Sequence, residues 1–94
     1  MLTLPQKVGL GNAQQVLGAL TEAMQAAPAQ ASLELDAAAL LDFDSAVLAV
    51  LLECQRRAQA SGRRLTLVGA PPKLAELARV FGLSELLWPE ATAA

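Results

Sequence analysis

Asp36, Asp42, Asp44, Ser45 and Cys54 are the side chains whose types and spacing could do chemistry in this sequence. Three carboxylates near the end of one strand-like run could gather a hard cation, but no glycine-marked ligand loop separates them, so no metal site is expected. Histidine is absent. That removes imidazole bases, His-activated nucleophiles and His-ligated metals. Cys54 is the single cysteine and lies among Leu51, Leu52 and Ala58. It reads as a small apolar residue, because nothing is available to activate it and no disulfide or CxxC pair can form. Gly9-Leu10-Gly11 lacks the third glycine of a dinucleotide fingerprint, and no GKS/T follows, so it reads as a turn. No cofactor is expected, and a small-ligand or nucleotide sensor ranks as the lower alternative because the sequence offers no phosphate loop for it.

Ser45 carries two readings. It follows an acid where a loop turns into a helix, so its hydroxyl could satisfy a free N–H of the first turn, worth about 1 kcal/mol. The same place leaves a hydroxyl exposed at the rim of the sheet, where a phosphate would meet the positive end of the helix dipole. At about 100° per residue, Leu48, Leu51, Leu52, Gln55 and Ala58 cluster on one side of the helix after Ser45, and that side faces the sheet. Ala46, Ala49, Val50, Glu53 and Arg57 fall on the other side. Its first two turns are small and apolar, and Glu53 and Arg57 stand at i,i+4 as a polar rim. A helix surface of this kind lets another protein approach closely, so it is a candidate docking face. Arg56, Arg57, Arg63 and Arg64 read as solvated groups complementing a helix C-terminus.

Short strand-like runs alternate with helical ones. Leu2-Thr3-Leu4 alternates and stops at Pro5. Asn12 is the expected N-cap of a helix whose stripe is Val16, Leu17, Leu20, Met24 and Ala27, ended by Pro28. Residues 32–36 alternate again, and a second helix is expected over 45–60 with a glycine cap near Gly62. Residues 64–68 form the clearest strand. Pro71 and Pro72 then open a third helix with Leu74, Leu77, Ala78 and Phe81 buried and Gly82 closing it. Residues 84–88 form a half-turn or an edge strand, and the tail from Pro89 is loose. The order β-α-β-α-β-α predicts an α/β fold, with strands 33–35 and 64–68 parallel because a helix connects them.

The length of 94 residues allows one small domain with a single core. A net charge of -2 gives no electrostatic reason to expect nucleic acid. No basic n-region precedes the early apolar residues and no apolar run reaches the roughly 20 residues of a bilayer span, so the chain is expected to be cytoplasmic, without membrane insertion.

Leu33-Glu34-Leu35-Asp36, then Leu40, then Phe43-Asp44-Ser45, then Leu48-Ala49-Val50-Leu51-Leu52 resembles the core of STAS domains. Gly62-Arg63-Arg64-Leu65-Thr66-Leu67-Val68-Gly69, and Pro72-Lys73-Leu74 through Phe81-Gly82-Leu83, resemble the strand and helix that follow in that family. The resemblance implies one non-enzymatic binding domain over the whole chain with its core at 2–88. It also implies a small mixed sheet of about four strands covered by three to four helices. In one branch of the family, the anti-sigma factor antagonists, the residue at the place of Ser45 is phosphorylated by a partner kinase. In another, a STAS subunit docks on the ATPase of a phospholipid-trafficking ABC transporter of the Mla type, at the inner face of the inner membrane. There the resemblance places Asp44, Ser45, Ala46, Ala49, Val50, Glu53 and Arg57 at the contact. Ala46 and Val47 stand where the antagonists usually carry a second Ser or Thr and then Gly, and the N-terminus starts at what resembles the family's second strand. Both features favour the transporter branch, although that branch too commonly has glycine at the position of Val47.

Overall fold

The computed structural model describes residues 2–28 and 32–87. The elements follow the order β1 (Leu2–Thr3), β2 (Lys7–Val8), α1 (Ala13–Ala26), β3 (Leu33–Asp36), β4 (Asp42–Phe43), α2 (Ala46–Ala60), β5 (Leu65–Val68), α3 (Pro72–Val80) and α4 (Ser84–Leu87). The protein is α/β, as its alternating pattern predicts. β3 lies between β1 and β5, and both pairings are parallel, with Leu2 opposite Leu35 and Leu35 opposite Leu67. Backbone bonds carry these ladders one step further: Leu4 N–H to the Asp36 carbonyl at 2.9 Å and Ala37 N–H to the Val68 carbonyl at 2.8 Å. Parallel pairing requires a crossover between neighbours, and α2 supplies the one from β3 to β5.

β2 and β4 form a second, two-stranded parallel ladder, with Lys7 opposite Asp42 and Val8 opposite Phe43. The periodicity of the sequence did not reveal these strands, since two residues are too few to show alternation. Their ladder leads straight into the turn that opens α2.

The core is aliphatic. Leu4, Val8, Leu35, Leu40, Val47, Leu51 and Leu74 are all essentially inaccessible, and no polar or charged residue is buried among the described residues. α1 buries Val16, Leu20 and Met24 at four-residue steps, as expected. Leu33, Leu35, Leu65 and Leu67 supply the buried faces of β3 and β5, so their alternation reads correctly as half-buried strands.

α2 and α3 end alike. Gly62 (φ 72°) and Gly82 (φ 73°) take the left-handed conformation. The following N–H groups of Arg63 and Leu83 donate to the carbonyls of Ala58 and Ala78, both at 2.8 Å. These are Schellman closures, which glycine enters without steric cost. Arg63 also donates from Nη1 to the Met24 carbonyl at 2.8 Å, fastening the end of α1 to the loop after α2.

Two expectations need correction. Asn12 precedes α1 but makes no side-chain cap bond; its amide instead braces the loop before the helix. Phe81 is 56% exposed, because α3 ends at Val80 and the chain turns away before the ring can reach the core. Of the two readings of the segment from Ser84, the helical turn is the one found, at residues 84–87. Trp88 and the tail from Pro89 lie outside the described residues.

Candidate functional site: the N-terminal corner of α2

β4 delivers Asp44 to the mouth of α2. The Asp44 N–H donates to the Val8 carbonyl at 3.3 Å, which continues the β2–β4 ladder by one step. Its side chain then has two backbone donors within reach. Oδ1 accepts the Ala46 N–H at 2.8 Å and Oδ2 accepts the Leu10 N–H at 3.1 Å. One carboxylate therefore satisfies a free donor of the first helical turn and holds the loop between β2 and α1 against that turn.

That loop is braced again by Asn12. Its Oδ1 accepts the Gly9 N–H and its Nδ2 donates to the Lys7 carbonyl, each at 2.8 Å. Gly9 allows the close approach. A Cβ there would stand 3.1 Å from Asp44 Oδ2, tighter than ordinary van der Waals contact.

Ser45 occupies the N-cap position of α2 but takes helical dihedrals (φ -63°, ψ -15°) and makes no side-chain cap bond. The acid before it does that work. Ser45 is exposed, and its hydroxyl is left over by the fold. The capping reading of its side chain is therefore corrected: Asp44 is the cap.

Of the other residues expected on the outward side of α2, Ala49 and Arg57 are exposed, while Ala46 and Glu53 are half-buried. Val50 is not outward. It is 3% exposed, part of an arc of Val47, Leu48, Val50, Leu51, Cys54 and Ala58 that packs into the core. α1 packs against α2 as well as the sheet does, so the buried arc is wider than the sheet-facing stripe and takes in Val50. Leu52 and Gln55 are only half-buried at its opposite edge. Gln55 donates from Nε2 to the Leu65 carbonyl at 3.1 Å.

The next turn is ionic. Arg56 grips Glu53 with two parallel bonds, Nε to Oε1 at 2.6 Å and Nη2 to Oε2 at 2.7 Å, and Arg57 Nε reaches Oε2 at 3.2 Å. The Arg56 hydrogen bond, then that of Arg57, holds the Glu53 carboxyl down at about 2, and Glu53 in turn raises Arg56. The expected Glu53–Arg57 pair is present, and Arg56 joins it as the better-aligned partner. Cys54 is buried one residue on, and burial pushes its thiol up to about 11.

Small apolar groups thus stand between an acidic corner (Asp42, Asp44) and a cluster of two cations and one anion. Among the described residues no group of three acidic, Cys or His side chains is placed to hold a metal ion. An apolar cleft of about 440 Å³ opens elsewhere, between β1 and the first half of α1, lined by Thr3, Pro5, Gln15 and Ala19 among others. None of the α2 residues above lines it.

Leu10 is the residue that sequence reasoning missed. Its side chain is 85% exposed beside this corner. The glycines on either side mark a turn, but nothing in the pattern shows that Asp44 fastens that turn to α2.

The fold is a small α/β domain in which the exposed Ser45 stands at a helix corner braced by Asp44. The chain belongs to the STAS family: the family model described as "Mlab, STAS domain" matches residues 8–88. No individual curated protein matches the chain. STAS domains are in general binding and regulatory modules that engage protein partners. No described helix is long and apolar enough to cross a membrane.

Proposed function

We propose that this protein is a STAS subunit that docks on the ATPase of a Mla-type phospholipid-trafficking ABC transporter, and stabilises or regulates it. The transporter would serve outer-membrane lipid asymmetry, and the subunit would sit at the cytoplasmic face of the inner membrane through its partner. It would act by binding and not as an enzyme. The observation that carries this reading is the corner itself. Ser45, Ala46 and Ala49 present a hydroxyl and two small side chains on a helix end that Asp44 holds rigid. Burial of that strip supplies the attraction, and the Glu53–Arg56–Arg57 cluster sets orientation at its rim. Val50 contributes from beneath, by packing α2.

The test is co-purification with the ATPase. Ser45→Asp and Ser45→Arg place a charge at the centre of the contact while leaving the fold intact, since the Ser45 side chain makes no cap bond. Loss of the ATPase from both variants, with unchanged circular dichroism, is the expected result. Full retention by both overturns the interface.

One observation favours a second reading, an anti-sigma factor antagonist switched by phosphorylation: the Ser45 hydroxyl is exposed and uncommitted, as a phosphoacceptor needs to be. Incubation with the cognate kinase and ATP would then add roughly 80 Da, the mass of one phosphoryl group, and the gain would be absent in Ser45→Ala.

A further inference from the structure

The strongest unassigned feature is Leu10. A lone exposed leucine on a surface needs no explanation. Leu10 differs because its loop is pinned on both sides of it: Gly9 N–H to Asn12 Oδ1, Asn12 Nδ2 to the Lys7 carbonyl, Asn12 N–H to the Gly9 carbonyl, and its own N–H to Asp44 Oδ2. The backbone at Leu10 is therefore held in one place, next to the helix corner that carries Ser45. A loop whose backbone is fixed before binding loses little backbone freedom on contact, which favours it as the carrier of an interface anchor. The surroundings carry a sign. Asp42 and Asp44 are exposed and together outweigh Lys7, which stands opposite Asp42, and the ion pairs among the described residues involve none of the three.

We infer that Leu10 is the apolar anchor of the docking face, seated in an apolar pocket of the ATPase subunit whose rim carries Lys or Arg side chains opposite Asp42 and Asp44. This rests on the ATPase-docking reading and extends that face from α2 onto the loop between β2 and α1. Asp44 is the positioning residue for the anchor.

The full chain, titrated into the purified ATPase subunit by calorimetry at low and high NaCl, tests it. Leu10→Ala should weaken binding at least about tenfold with an unchanged urea midpoint. Asp42→Asn should weaken it less and flatten its salt dependence. Leu86→Ala, a leucine 58% exposed on α4, should bind like the parent. Leu10→Ala binding within about twofold of the parent, while Ser45→Arg abolishes binding, would overturn the anchor and leave the α2 docking face standing. Parent binding that ignores salt would overturn the basic rim. Self-association of the parent that Leu10→Ala removes would assign the anchor to a second copy instead. Absence of parent binding to the ATPase would remove both readings together.

Discussion

Asp44 Oδ2 accepts the backbone N–H of Leu10 at 3.1 Å, across 34 residues of sequence. The other oxygen of the same carboxylate caps α2 at Ala46. Removing it leaves two donors without their partner, whereas removing the neighbouring hydroxyl leaves none. Asp44→Ala should cost about 1–2 kcal/mol, and Ser45→Ala should stay within about 0.5 kcal/mol of the parent. Urea unfolding of the two variants measures this, and equal losses would contradict the assignment of the cap.

Gly69 and Gly62 both have positive φ, at 69° and 72°, yet they differ in surroundings. A Cβ at Gly69 would stand 3.1 Å from both the Ala38 Cβ and Asp36 Oδ1, while at Gly62 it would meet open space. Gly62→Ala should therefore lower stability by about 1 kcal/mol, the backbone cost alone. Gly69→Ala should cost at least about 1 kcal/mol more, because the turn after β5 must also shift. Thermal unfolding of both variants gives the comparison.

The Glu53 carboxyl, held at about 2 by Arg56 first and Arg57 second, has a folded pKa below its unfolded value of about 4.3. Its contribution to stability is therefore fully present above the unfolded value and lost as pH falls toward the folded one. Glu53→Gln should be less stable than the parent near neutral pH. The difference should shrink below about pH 4 and vanish near the folded value. Urea midpoints across that range test it, and a pH-independent difference would contradict the pairing.

Cys54 is buried and its thiol is pushed up to about 11, first by that burial, with Arg57 opposing and Glu53 adding to it. Near neutral pH the native thiol is protonated and enclosed. Iodoacetamide should modify it more than about a hundredfold more slowly in the native protein than in urea. Intact mass reads the rate, and comparable rates in the two states would contradict the burial.

Much of this architecture is legible in the sequence because its signals are local. Leu33, Leu35, Leu65 and Leu67 alternate, Val16, Leu20 and Met24 repeat at helical spacing, and Gly62 and Gly82 stand where helices close. The site is less legible because its geometry depends on distant contacts. Val50 lies in a helix apolar on nearly every side through Leu52, so the pattern offers no contrast between buried and exposed faces, and the packing of α1 decides. Asp44 and Ser45 are both good capping residues. The pairing of the Asp44 backbone with Val8 places the acid over the turn and leaves the hydroxyl free. Leu10 becomes part of the same corner only through a bond to a carboxylate far along the chain.

The docking of the outward side of the first turns of α2 on the ATPase is tested most directly by Ala49→Arg, with Val80→Arg as its control. Both sites are exposed, one on α2 and the other on α3. The affinity of each folded variant for the purified ATPase should fall at least about a hundredfold for Ala49→Arg and stay at the parental value for Val80→Arg. Parental affinity in Ala49→Arg, or an equal loss in Val80→Arg, would contradict the account.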